Sequence, residues 1–343
     1  MKQKNWWKVA LCGVLLTLGL AASAQEAADV AVGLSAKQRL EKNAECTRCH
    51  DESETKPILS LYQRAHGAVG DPNTPICQSC HGESKQHLDG KKGDDERRPR
   101  PDRIFGTKRT TAGYEPNNTQ DQYDTCLSCH QGRLGGKHIN WQSSVHANRD
   151  VGCASCHSVH ASHDKVREKE TQTEVCFSCH KEQRAQMNRA WHHPVPEGEM
   201  ACTSCHDVHN DNPKTLIKSS TNDTCYTCHM EKRGPFVHSH QPVTEDCAIC
   251  HQPHGTSVPN LLRQRAPFLC QQCHSNTQHP ANPAFWQAGQ ATPGGPPGTI
   301  GPGGNLGARA CLNCHTNIHG SNSMESGYNR TSGGHGTAGH FRR

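Results

Sequence analysis

Aromatic and aliphatic side chains are scarce in this chain. Of 343 residues, 32% are hydrophobic and 5% aromatic, and cysteine accounts for part of that hydrophobic share. Ordinary domains are held by buried apolar side chains, so this chain needs another source of core. Beyond residue 21 there is no apolar run long enough to span a bilayer, which excludes a direct lipid-spanning segment in the mature chain. Methionine is rare too: after the first residue only Met187, Met200, Met230 and Met324 occur. The formal charge of +5 is too small to mark a nucleic-acid binder.

The N-terminus reads as an export signal. Lys2, Lys4 and Lys8 lead into an apolar run from Val9 to Ala21, followed by Ala22-Ser23-Ala24. That A-x-A pattern predicts cleavage after residue 24, with Gln25 as the first mature residue, against the alternative of an uncleaved anchor. The run is short for a span of about 20 residues. Cys12 leaves with the signal, and the 20 cysteines that remain have a common context.

Each of those cysteines belongs to a Cys-x-x-Cys-His pentad, the attachment signal of c-type haem. The ten pentads supply Cys46, Cys49 and His50; Cys77, Cys80 and His81; Cys126, Cys129 and His130; Cys153, Cys156 and His157; and Cys176, Cys179 and His180. The second five supply Cys202, Cys205 and His206; Cys225, Cys228 and His229; Cys247, Cys250 and His251; Cys270, Cys273 and His274; and Cys311, Cys314 and His315. The spacing suits one porphyrin: two thiols add to its two vinyl groups and the next imidazole faces the iron. Zinc sites or Cys-x-x-Cys disulfides would not demand a histidine after every second cysteine. Ten haems would bring twenty propionates, taking the mature chain from +2 to about −8 oxidised and about −18 reduced, so the basic sequence pI misleads.

Sixteen histidines lie outside the pentads. Ten follow a repeat of pentad, mid-loop histidine, pentad, trailing histidine: His66 and His87, His146 and His160, His193 and His209, His240 and His254, His279 and His319. They are the candidate sixth ligands, which predicts bis-histidine ligation at ten irons. Four methionines cannot serve ten sites, and none holds a repeat position. His138, His163, His192, His238, His335 and His340 are read as solvated or supporting residues. His157 and His160, like His251 and His254, stand too close in sequence to sandwich one iron, so the trailing histidines are expected to reach a neighbouring haem. No pentad is short of a distal candidate, so no iron is left open for substrate chemistry.

The fold class expected is a multihaem cytochrome c: mostly coil with short α-helices around a chain of ten haems, elongated, with little or no β-structure. Fewer than about 35 residues serve each haem, so the porphyrins act as the core and covalent anchoring replaces aliphatic packing. Ser35 and Gln38 form a capping-box pattern opening a helix through about Asn43. Pro57 opens another through Arg64, and Lys181 to Ala190 favours a third. The charged stretch Leu88–Thr125 reads as a surface linker, and Gln290–Gly307 as a flexible Gly/Pro segment. The divisions expected are a signal peptide over 1–24, an N-terminal half over 25–190, a C-terminal half over 191–322 and a flexible tail over 323–343.

Closely spaced, six-coordinate haems pass electrons from ring to ring, which makes an electron carrier the leading reading and a non-catalytic one. A freely soluble shuttle to a reductase and a multihaem reductase are the alternatives.

Four runs carry a family resemblance: NDTCYTCHMEKRGP from Asn222 to Pro235, PVTEDC from Pro242 to Cys247, RAPFLCQQCH from Arg265 to His274, and CLNCHTNIHGSN from Cys311 to Asn322. They resemble the MtrA/DmsE family of periplasmic decahaem cytochromes, which includes iron-oxidation homologues. The departures are the charged insert around Lys91–Arg103 and the Gly/Pro stretch before Cys311. The resemblance implies a wire inserted into an outer-membrane β-barrel porin. It would meet periplasmic or inner-membrane cytochromes on one side. On the other it would meet an extracellular multihaem cytochrome, or act without one. Iron oxides or Fe(II) are the implied terminal acceptors or donors.

Overall fold

The computed structural model describes residues 33–53, 57–68, 70–91, 97–131, 140–274, 311–313 and 315–322. The expected signal peptide, the Gly/Pro segment, the expected tail, Cys314 and histidines 138, 279, 335 and 340 lie outside them. Among the described residues there is no strand. Nine short α-helices and a series of 3-10 turns are joined by coil: α1 (Ala36–Thr47), α2 (Cys77–His81), α3 (Lys85–Asp89), α4 (Thr119–His130), α5 (Lys169–Cys176), α6 (Lys181–Met187), α7 (Thr221–Cys225), α8 (Gln241–Glu245) and α9 (Phe268–Gln271). Three isolated antiparallel bridges, Trp191 with Thr256, His238 with Ser321 and His251 with Leu262, are the only β-like pairing there.

Helix α1 starts where the capping box places it. The amide of Gln38 donates to Ser35 Oγ at 3.3 Å and the amide of Ser35 to Gln38 Oε1 at 2.9 Å. It runs four residues past the expected end because Cys46 and Thr47 continue it into the first pentad. The helix expected after Pro57 is a 3-10 turn, Leu59–Gln63. Helix α6 begins at Lys181 as expected and stops at Met187. The supposed linker needs correction: its described residues include 97–118, tied to each other and to residues 81–88 by hydrogen bonds, and the first half of α4, whose Asn118 cap accepts from the Asp121 amide at 2.8 Å.

Buried side chains are mostly polar. Fourteen polar or charged residues are buried among those described, against nine apolar ones. The apolar cluster is small: Tyr123 and Leu127 from α4 with Trp141, joined by Ala147 and Cys153. Tyr123 donates from its hydroxyl to Val151 O at 3.0 Å and meets Trp141 edge-on at 5.5 Å. Elsewhere the interior is a network of side chains holding backbone. Arg39, 1% exposed on α1, donates to the carbonyls of Leu34, Pro72 and Thr74. A buried guanidinium is tolerable because each of its three nitrogens finds a carbonyl oxygen.

The chain forms two compact units, each made of two stretches of sequence. One holds residues 1–179 and 201–215, the other 180–200 and 216–343. The single cut expected at 190 therefore falls inside a segment of the second unit.

Candidate haem sites

The pentads are folded in pairs. In the first pair, Asn43 of α1 accepts the Cys77 amide at 3.0 Å and Gln78 Nε2 donates to Lys42 O at 3.0 Å. The same device recurs. Gln172 of α5 accepts the Thr203 amide at 3.1 Å. Asn222 of α7 accepts the Cys247 amide at 2.7 Å and donates to Val243 O at 2.9 Å. Gln122 of α4 instead braces the chain before it: it accepts the Gly106 amide at 3.2 Å and donates to Gly106 O and Asn117 O, and its Oε1 fills the space that a side chain at position 152 would need. All four amides are buried. Each sits three or four residues before the first cysteine of a pentad, on the helix that ends in that pentad. A side-chain amide suits the place because it both accepts and donates.

The first cysteines of paired pentads lie against one another, in three pairs beside such a clamp. The thiols of Cys77 and Cys46, Cys126 and Cys153, Cys176 and Cys202, Cys225 and Cys247, and Cys270 and Cys311 neighbour one another closely enough to shift each other's titration. The neighbouring thiol lowers Cys202 and Cys247 to about 7, while Cys77, Cys126 and Cys176 are raised. Second cysteines neighbour each other between pairs. Burial pushes Cys80 up to about 11, and the charge of Cys129 adds to it. Burial then Cys179 raise Cys156, and burial then Cys273 raise Cys250. Within each unit the attachment points thus follow one another in sequence order, alternating first and second cysteines.

The histidines pair as well. His50 lies with His87 at 6.2 Å between ring centroids, His130 with His66 at 5.9 Å, His81 with His160 at 6.0 Å and His157 with His209 at 6.1 Å. In the second unit His229 lies with His193 at 6.3 Å, His274 with His240 at 6.0 Å and His251 with His319 at 6.1 Å. Every pair joins one pentad histidine to one from outside the pentads. Metal–imidazole bonds of about 2 Å on both sides of an iron would set ring centroids roughly 6 Å apart, so these spacings fit a haem iron. No outside histidine pairs with the pentad directly before it; His87, for instance, skips His81 and pairs with His50. His146 and His254 are half-buried, as are His206 and His315, while His180 is exposed.

Burial lowers the pKa of His66, His81, His130, His240, His251 and His319. A neutral imidazole keeps the lone pair that a metal needs. The second ring nitrogen is held by oxygen. Nδ1 of His81 meets Arg103 O at 3.0 Å, His206 meets Lys214 O at 3.2 Å and His251 meets Asn260 O at 2.9 Å. His87 meets Pro99 O at 2.8 Å and His193 meets Pro253 O at 2.9 Å. His157 differs: it meets the carboxylate of Asp164 at 2.8 Å. Such contacts fix ring orientation and tautomer.

Arg103 and Pro99 belong to the stretch expected to be a surface linker. Arg98 also donates to His87 O and Leu88 O, and Asp102 Oδ2 accepts the Ser84 amide at 2.7 Å. The stretch is thus a positioning arm for His81 and His87. Gly82 makes its entry possible: φ is +75°, and a Cβ there would lie 2.7 Å from Asp102 Oδ2.

The histidines set aside in the sequence have other occupations. His163 meets Glu168 at 3.1 Å, and His192 meets Arg189 O at 2.6 Å and Glu197 at 2.9 Å. His238 pairs through its backbone with Ser321. The four amides and Asp164 were not singled out in the sequence. The signal for the amides was present: Asn43, Gln122, Gln172 and Asn222 recur at near-constant distance before Cys46, Cys126, Cys176 and Cys225.

A model of the doubled CXXCH motif matches residues 192–234 and 240–279, and one described as cytochrome c-type protein NrfB-like matches residues 77–170. The chain is 40% identical to multiheme cytochrome MtrA of Shewanella baltica over 282 residues, covering 81% of this chain and 78% of that one. It is 30% identical to the cytochrome c-type protein NrfB of Escherichia coli over 157 residues, 44% of this chain and 72% of the relative. The NrfB of Haemophilus influenzae is 31% identical over 158 residues, 41% and 66% respectively. With paired attachment motifs, paired imidazoles and a relative matched along most of its length, the chain belongs to the MtrA family of multihaem c-type cytochromes, electron-transfer proteins whose motifs carry covalently bound haem.

Proposed function

We propose that this protein is a periplasmic decahaem conduit with bis-histidine ligation. It carries electrons across the outer membrane inside a β-barrel partner, between periplasmic carriers and extracellular acceptors or donors such as iron oxides or Fe(II). The observation that carries the ligation is the set of seven ring pairs at 5.9–6.3 Å, each combining a pentad and a non-pentad histidine. A bound haem supplies one-electron exchange between Fe(III) and Fe(II) at such a site. The chain's own part is to hold both imidazoles, keep them neutral and exclude a third ligand.

Two buried donors also favour this cofactor. Arg103 Nη1 and Trp141 Nε1 are buried with no acceptor from the chain. Trp141 lies 5.7 Å from the His209 ring, and Arg103 holds His81. Haem propionates are suited to receive both N–H groups. Within each unit, the alternating cysteine contacts favour a path running through its pentads in chain order.

The barrel rests on the likeness to MtrA and on physical need. Among the described residues no helix is long and apolar enough to cross a membrane. The irregular backbone would leave amides unsatisfied in lipid, whereas a closed barrel with a polar lumen can sheathe it. Mass spectrometry of the mature protein should exceed the polypeptide by ten haems. The reduced spectrum should not shift with carbon monoxide; a full shift would favour a reductase. In liposomes holding the protein with its barrel, an external reductant should bleach an internal redox dye. An unbleached dye with all ten haems present overturns the conduit and leaves a soluble shuttle.

A further inference from the structure

The loops after His157, His206 and His251 do the same job with different atoms. After His206, Nδ1 meets a backbone carbonyl eight residues on, and the next amide, that of Asp207, donates to Thr215 O at 2.8 Å. After His251, Nδ1 meets a carbonyl nine residues on, and the Gln252 amide donates to Leu261 O at 2.8 Å. Both loops turn through left-handed residues, Lys214 and Thr215 in one, Asn260 and Leu261 in the other. After His157 the loop is shorter and has no such turn. One side chain, Asp164, takes over both carbonyl positions. Its Oδ2 accepts from His157 Nδ1 at 2.8 Å and its Oδ1 accepts the Ser158 amide at 3.2 Å. Asp164 is only 7% exposed. A second carboxylate, Asp207, lies 4.0 Å from Nδ1 of His209, the ring paired with His157.

A carboxylate accepts the Nδ1 proton more strongly than a carbonyl does, which makes the imidazole a stronger donor to iron. A buried negative charge also favours the more positive, ferric state, and burial keeps solvent from screening it. We propose that Asp164 sets the haem on Cys153 and Cys156 at a lower reduction potential than the haems held by His81, His206 and His251, whose Nδ1 partners are carbonyls. The proposal rests on histidine ligation at these sites. Asp164 is a positioning and tuning residue; it acts on the iron through His157.

The test is a potentiometric titration of the full holoprotein, followed by absorbance and low-spin ferric EPR. In Asp164→Asn, one haem's share of the titration should move upward, by about tenfold in its oxidised-to-reduced ratio or about 59 mV for one electron. The EPR signal of one haem should move with it, and Asp164→Glu should restore part of the wild-type position. An unchanged titration in Asp164→Asn, with every haem bound, overturns the proposal. His209→Met serves if Asp164→Asn fails to mature. It leaves Asp164 in place and raises the potential of the same haem, so the component that vanishes marks that haem's original position. Loss from the low-potential end supports the proposal, and loss from the high-potential end overturns it. A carbon monoxide shift in the wild-type protein would instead remove the histidine ligation beneath it.

Discussion

The pentad pair at Cys46 and Cys77 and the pair at Cys225 and Cys247 reach similar geometry with very different amounts of chain. In both, an asparagine of the preceding helix, Asn43 or Asn222, accepts the amide of the second pentad's first cysteine. In both, the second pentad's histidine rests Nδ1 on a carbonyl. That carbonyl is 22 residues away for His81 and nine for His251. The longer route is stiffened by Arg98, Arg100 and Asp102, whose side chains bind backbone or neighbouring side chains along it. The attachment end is therefore held by one repeated side-chain contact, while the ligand's outer nitrogen accepts whichever carbonyl the loop can deliver. Loop length is free to vary because closing a longer loop costs little more entropy.

Removing a paired ring gives the largest expected effect. His240→Ala should open one iron, read as a carbon monoxide shift of a single haem's absorbance, whereas His238→Ala, whose residue pairs by backbone, should give none. A shift in His238→Ala instead would reverse the pairing of His240 with His274. The asparagine clamps come next. Asn222→Leu should destabilise its unit by about 2–4 kcal/mol, because buried hydrogen bonds are lost and their backbone partners, the Cys247 amide and the Val243 carbonyl, are stranded. Asn43→Leu should cost about the same in thermal unfolding. A far larger loss at Asn43 would mean that loop length, not the clamp, governs the module. Gly82→Ala follows, at about 1–3 kcal/mol for a side chain forced to positive φ against Asp102. It should loosen His81 in resonance Raman spectra of the iron–histidine stretch; an unaltered spectrum would remove the arm from the positioning of that ligand.

The smallest effect is expected at His192 and Glu197, a surface contact beside the histidine that pairs with His229. The hydrogen bond to Glu197 raises His192, and the one from His192 lowers Glu197. Whatever the pair adds is lost as pH rises through the raised histidine pKa and as pH falls through the lowered glutamate pKa. Glu197→Gln should leave the melting temperature at neutral pH within error. A clear drop would show that His192 supports His193 through this contact.

Much of the chemistry was readable from residues. Spacing alone identifies the thiols and pentad histidines, because two thioethers and one axial ligand must come from five consecutive residues. Ser35 and Gln38 announced α1 because a capping box is local. Between near neighbours, His193 rather than His192 lies beside the His229 ring and His240 lies beside the His274 ring. The charged arm was misjudged, since its work is done by backbone carbonyls of Pro99 and Arg103, and a carbonyl has no residue signature. Asp164 was passed over for a similar reason. It is one acid among 32, and only the shortened loop gives it two acceptor roles.

The sequence by itself determined that cofactors replace an apolar core, where each attaches, and which histidines could complete them. These follow from covalent spacing and composition, which survive unfolding. Only the tertiary structure decided the partners: that His66 faces His130 rather than His50, that His160 returns to His81, and that a buried carboxylate holds His157 where carbonyls hold His81, His206 and His251. A ring paired across 60 or more residues depends on how the intervening chain closes. In this protein that closure is set by a handful of buried amides and loop carbonyls rather than by any periodic pattern.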